Sequence, residues 1–147
     1  MTLYKALPCL AVLAASSTIA SAADALVLAE GGKSAYRIVI GRSAPQSTRH
    51  AADELQAFLR QVTGAELPAV TDAEPAQPAE ILVGASSRLA ELGLSVDLEA
   101  LGPDGFVLRS VGDRLLIVGG EPRGTLNGVY TFLEEQVGCR WYSPDVG

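Results

Sequence analysis

Two pairs of adjacent carboxylates, Asp53-Glu54 and Glu134-Glu135, are the first residues in the chain that suggest bond-breaking chemistry. A glycosidase works with two carboxyl groups on opposite sides of a bond, about 5 Å apart for retention and roughly 6.5 to 9.5 Å for inversion. Neighbours on a helix diverge by about 100° and do not converge on one bond. Both pairs therefore read as solvated helix faces.

The other candidates fail on the same kind of test. Gly119-Gly120-x-x-x-Gly124 follows a strand and opens a helix, where backbone N–H groups can hold a phosphate. It lacks G-x-G-x-x-G and G-K-[ST], and Glu121 sets a negative charge where an anion would lie. A tight strand-to-helix corner, with Gly124 and Gly128 allowing close packing, is the better reading. Gly84-Ala85-Ser86-Ser87-Arg88 begins like a nucleophile elbow but has no closing glycine, so its serines read as helix caps. His50 is the sole histidine. With no second histidine and no H-E-x-x-H, neither a metal site nor a resident cofactor is expected. No catalytic residue is assigned.

Trp141 and Tyr142, with Arg140 beside them, are the residues best suited to touch a ligand, because aromatic rings stack on the apolar faces of sugars. The competing reading places Trp141 in a core or an interdomain seam with Tyr142 at its rim. Cys139, flanked by Val137 and Trp141, reads as a buried small hydrophobe or as a thiol paired outside this segment.

These residues need elements to hold them. Residues 25–28 and 36–40 are short β-rich runs separated by Glu30-Gly31-Gly32-Lys33, which predicts two strands joined by a glycine turn. Ala51, Ala52, Leu55, Phe58, Leu59 and Val62 recur at helical spacing, with Ser47 as the expected N-cap and Gly64 as the stop. Residues 67–71 suit an edge strand, and 72–79, with Pro75 and Pro78, suit a loop. Ile81-Leu82-Val83 reads as a strand covered on both faces. A short helix ends before Gly93. Residues 106–111 and 114–118 flank a Gly112-Asp113 turn and form the clearest hairpin. Pro122 suits the first turn of a last helix, whose apolar face is Leu126, Val129, Tyr130, Leu133 and Val137. Gly138 ends it, and 139–142 returns to strand. The summed pattern predicts an α+β fold, an α/β sandwich with a mixed sheet and two long helices packed mainly on one face.

Residues 1–22 read as a secretory signal: Lys5, an apolar run from Ala6 to Ala15, then Ala20-Ser21-Ala22 before the cut. Its apolar run is short for a membrane span, which takes about 20 residues. Residues 23–147 then form one domain of ordinary size. Removing Lys5 takes the formal charge from −6 to −7. An acidic domain with no basic stripe excludes nucleic acid and, after cleavage, an anionic membrane as expected partners. A secreted or periplasmic location follows.

The stretches "AYRIVIGRSAPQSTRHAADELQAFLRQVTGAELP" and "GPDGFVLRSVGDRLLIVGGEPRGTLNGVYTFLEEQVGCRWYSP" resemble the N-terminal domain of family 67 α-glucuronidases. A related domain precedes the barrel of bacterial β-N-acetylhexosaminidases. The most specific elements are Ala51-Ala52-x-x-Leu55, Gly105-Phe106-x-Leu108 with Ile117-x-Gly119, and Arg123-Gly124-x-x-x-Gly128-x-Tyr130 leading to Gly138-Cys139-Arg140-Trp141-Tyr142. The resemblance implies a non-catalytic accessory domain of a secreted, xylan-degrading glycoside hydrolase. In such proteins it buttresses a (β/α)8 barrel, and the barrel supplies the catalytic carboxylates. The implied partners are therefore a barrel domain of a longer chain and an oligo- or polysaccharide. A stand-alone carbohydrate-binding module using Trp141, Tyr142 and Arg140 is the alternative.

Overall fold

The computed structural model describes residues 3–4 and 26–136 of the 147. In chain order the elements are β1 (Leu3–Tyr4), β2 (Val27–Ala29), β3 (Arg37–Ile40), α1 (Gln46–Thr63), β4 (Ala69–Thr71) and β5 (Glu80–Val83). Then follow α2 (Ser87–Glu91), α3 (Leu98–Leu101), β6 (Phe106–Val111), β7 (Arg114–Gly119) and α4 (Gly124–Gln136).

Five strands form one mixed sheet in the order β4-β3-β5-β7-β6. The first four run parallel and β6 pairs antiparallel with β7. Strand periodicity sorts the side chains. Ile38, Ile40, Ile81, Val83, Leu115 and Ile117 meet Ala51, Leu55 and Leu59 of α1 and Val129, Phe132 and Leu133 of α4. Val39, Leu82, Leu116 and Val118 belong to a second cluster on the opposite face, with Leu89 of α2 and half-buried Leu92, Leu94, Val96 and Leu98. Ile81, Leu82 and Val83 have no exposed area, as a strand covered on both faces requires. Each such side chain contributes about 1.5–3 kcal/mol. The fold is α+β with both long helices on one face, as expected.

Three expectations need correction. The Gly31-Gly32 turn forms and is closed by Glu30 and Lys33, whose amide-to-carbonyl distances are 2.8 and 3.1 Å. It does not make β2 a partner of β3, because β4 and β5 occupy both edges of β3. β2 pairs instead with β1, which lies inside the segment read as a leader. The helix α1 begins one residue before Ser47, with extended Pro45 at the capping position. Pro122 lies in the turn ahead of α4 rather than inside it. The Gly64 stop is as expected: φ is +79° and its N–H donates to the Arg60 carbonyl at 2.8 Å. The helix α3 has no counterpart in the sequence reading; it is a single turn capped by the Asp97 side chain, which accepts from the Ala100 amide.

The connection from β4 to β5 joins two parallel strands, so residues 72–79 must travel from the carboxyl end of one to the amino end of the other. Parallel crossovers commonly take a dozen or more residues, usually a helix. Here an extended loop does it, and its carbonyls need donors from elsewhere.

Candidate functional site

Those donors are arginines, gathered at the amino end of the sheet. β3 and β7 flank β5, and each of the three strands begins with a charged residue: Arg37, Arg114 and Glu80. Arg37 and Glu80 are register partners. The Arg37 Nε and Nη2 donate to Glu80 Oε2 at 3.1 and 2.8 Å. Arg114 Nε donates to Glu80 Oε1 at 3.4 Å. Arg88 of α2 brings its Nε within 3.3 Å of the same oxygen, close enough for charge attraction though not aligned as a hydrogen bond. The Glu80 and Arg88 side chains have no exposed area.

The Nη2 atoms of the three arginines hold the crossover loop, while Arg88 Nη1 donates to Glu91 one turn on at 3.2 Å. Arg37 Nη2 donates to the Pro75 carbonyl, Arg88 Nη2 to the Glu74 carbonyl at 2.7 Å, and Arg114 Nη2 to the Gln77 carbonyl at 2.7 Å. Glu80 Oε2 also accepts from the Gln77 amide. The Glu80 carboxylate is bonded to Arg37, Arg114 and the Gln77 amide, and with no exposed area it offers no oxygen to a substrate in solvent. This arrangement is structural, not acid–base, chemistry.

The carboxyl end of the parallel strands is where ligands bind in many open α/β sheets. Asp72, at the exit of β4, accepts from the Ser87 amide and hydroxyl, both at 2.8 Å, and from the Arg42 amide at 3.0 Å. Burial raises its carboxyl; the Ser87 amide and hydroxyl, the Arg42 amide and the Arg42 charge outweigh that and hold it below the ordinary range. Glu121 accepts from the Ser47 hydroxyl at 3.2 Å and the Thr48 hydroxyl at 3.3 Å, so a carboxylate of the chain itself occupies the first turn of α1. Its negative charge is favourable beside a helix N-terminus.

The glycine stretch at the end of β7 is a packing corner. A Cβ on Gly119 would lie 2.2 Å from the Gly124 carbonyl carbon, and one on Gly124 would lie 2.2 Å from the Gly105 carbonyl oxygen. A Cβ on Gly128 would lie 2.9 Å from the Ile117 side chain. Backbone fills the space a phosphate would need. The remaining acidic candidates lie on helix surfaces: Glu54 is 3.5 Å from His50 one turn earlier on α1, and Glu135 is exposed. Burial, and then the Glu54 charge, raises the Tyr130 hydroxyl.

Trp141, Tyr142, Arg140 and Cys139 lie outside the described residues. Among the described residues no three His, Cys, Asp or Glu side chains cluster as a metal site would require. Sequence reasoning missed the Glu80 cluster, because Glu80 closes a Pro/Ala loop and its three partners are scattered between positions 37 and 114.

Residues 23–132 match the family model for the glycosyl hydrolase family 67 N-terminus. The chain belongs to that family. No curated protein matches it. A family 67 N-terminus is part of a glycoside hydrolase, and the match spans every element from β2 through β7 and most of α4.

Proposed function

We propose that this domain is an exported, non-catalytic N-terminal part of an α-glucuronidase-like enzyme of xylan breakdown, and that it acts by packing against a catalytic (β/α)8 barrel. The observation that carries this reading is the commitment of Glu80, a fully buried carboxylate, to three arginines and the crossover loop. Asp72 and Glu121 are likewise bonded to scaffold hydroxyls and amides. Such groups make a rigid support and leave proton transfer to another part of the polypeptide.

The reading is tested in a longer protein carrying this segment ahead of a barrel. Glu80→Ala there lowers Tm and leaves kcat and KM of the folded fraction unchanged. A large fall in kcat with unaltered Tm would refute it.

A further inference from the structure

The geometry points to the crossover loop as the surface on which this domain meets the catalytic part of its own longer chain, resting on the supporting role proposed above. Pro75-Ala76-Gln77-Pro78 is the ridge that docks, and its partner is an uncharged, aromatic-bearing patch. Residues 73–78 are all exposed, six in succession. An exposed loop ordinarily leaves its main chain to water. Here the Glu74 amide donates to the Thr71 carbonyl at 3.1 Å and the Gln77 amide to Glu80 Oε2 at 3.2 Å. The Glu74, Pro75 and Gln77 carbonyls accept from Arg88, Arg37 and Arg114. Pro75 and Pro78 have no N–H to satisfy. Covering the ridge therefore strands few main-chain groups, which is the usual cost of burying a loop. With the backbone already pinned, docking also loses little conformational entropy. The ridge carries no charged side chain, and each proline holds the residue before it extended. Extended proline-bearing segments of this kind dock on aromatic-lined surfaces.

The position of the ridge says what covers it. Arg37 and Arg114, which hold it, open β3 and β7, so it lies at the amino end of the sheet. α4 leads to the same end. It starts against Gly119, at the carboxyl end of β7, and packs back along the sheet through Val129, Phe132 and Leu133. Its 13 residues rise about 20 Å, the length of the six-residue strand β7, so Gln136 comes level with Arg114. A family 67 N-terminus is part of a glycoside hydrolase, and the polypeptide leaves the described domain at this end. The catalytic part is therefore tethered on the side where the ridge stands. The carboxyl end of the sheet instead presents the exposed charges of Arg42, Arg49, Glu121 and Arg123.

Hydroxyl-radical footprinting of the longer protein, side by side with the 147-residue chain, tests this. Pro75 and Pro78 are expected to lose their labelling in the longer protein, while Pro122, exposed at the carboxyl end, labels equally in both. Ala76→Glu sets a charge in the contact and restores labelling of both ridge prolines. The two parts of the longer protein then unfold in separate transitions instead of one, while Tm of the 147-residue chain stays unchanged. If Ala76→Glu unfolds the chain, the wild-type labelling decides. Protection of Pro122 in place of Pro75 and Pro78 overturns the placement and leaves the supporting role standing. Equal labelling of all three prolines in both proteins, with independent unfolding of the two parts, overturns both.

Discussion

The Arg88 Nε lies 3.3 Å from Glu80 Oε1, and neither side chain has any exposed area. Taking both charges out of water is costly, and their attraction offsets that cost only while the other guanidinium groups and the loop carbonyls complete the set. Removing the carboxylate leaves uncompensated positive charge inside the domain. Glu80→Ala is expected to destabilise the chain by about 3–5 kcal/mol in urea unfolding. Arg114→Ala, at 22% side-chain exposure, should cost clearly less. Equal costs for the two would mean that the cluster is not organised around Glu80.

Asp72 supplies a pH signature. Its folded pKa is lowered, so its contribution is fully present above the unfolded value of about 3.9 and is lost as pH falls through the lower folded value. Stability of the wild-type chain should therefore fall below about pH 4 more steeply than that of Asp72→Asn. Superimposable pH–stability curves for the two would contradict this.

The glycine corner predicts a sharp positional contrast. Gly124→Ala puts a methyl group 2.2 Å from a backbone oxygen, and overpacking of this kind costs about 1–3 kcal/mol or more. Gly93→Ala meets nothing within 4 Å and bears only the strain of a positive φ, of order 1 kcal/mol. Thermal unfolding of the two variants side by side reads the difference, and Gly93→Ala as the more damaging change would refute the packing account.

Leu55 tests which helix face is buried. It has no exposed area and sits between α1 and the sheet, so Leu55→Ala should cost about 2–5 kcal/mol. Ala57→Ser, on the exposed side of the same helix, should stay within about 0.5 kcal/mol. A comparable loss at both positions would mean the helix is packed differently.

Much of the fold is legible because local signals agree with the tertiary arrangement. The 3.6-residue recurrence of Ala51, Ala52, Leu55 and Leu59, the Gly64 stop and the Gly112-Asp113 turn each fix an element without reference to distant residues. Strand partners are another matter. The Gly31-Gly32 turn is a genuine turn, yet β3 is claimed by β4 and β5, whose pairing depends on crossovers no local pattern encodes. The Glu80 cluster is hidden for the same reason. Arg37, Glu80 and Arg114 each look like ordinary polar residues at a strand boundary, and they become one site only when three strands lie parallel and side by side. One signal could have revealed it: three β-rich segments, each opened by a charged residue, with both signs represented.

The central claim is that this domain supports chemistry done elsewhere, and turnover by the chain alone tests it most directly. Purified chain, shown folded by a cooperative unfolding transition, is incubated at micromolar concentration with a glucuronosyl xylooligosaccharide and assayed for released uronic acid. The account predicts release no faster than in buffer. Catalytic release by the folded chain, abolished by replacing one of its own carboxylates, would contradict it.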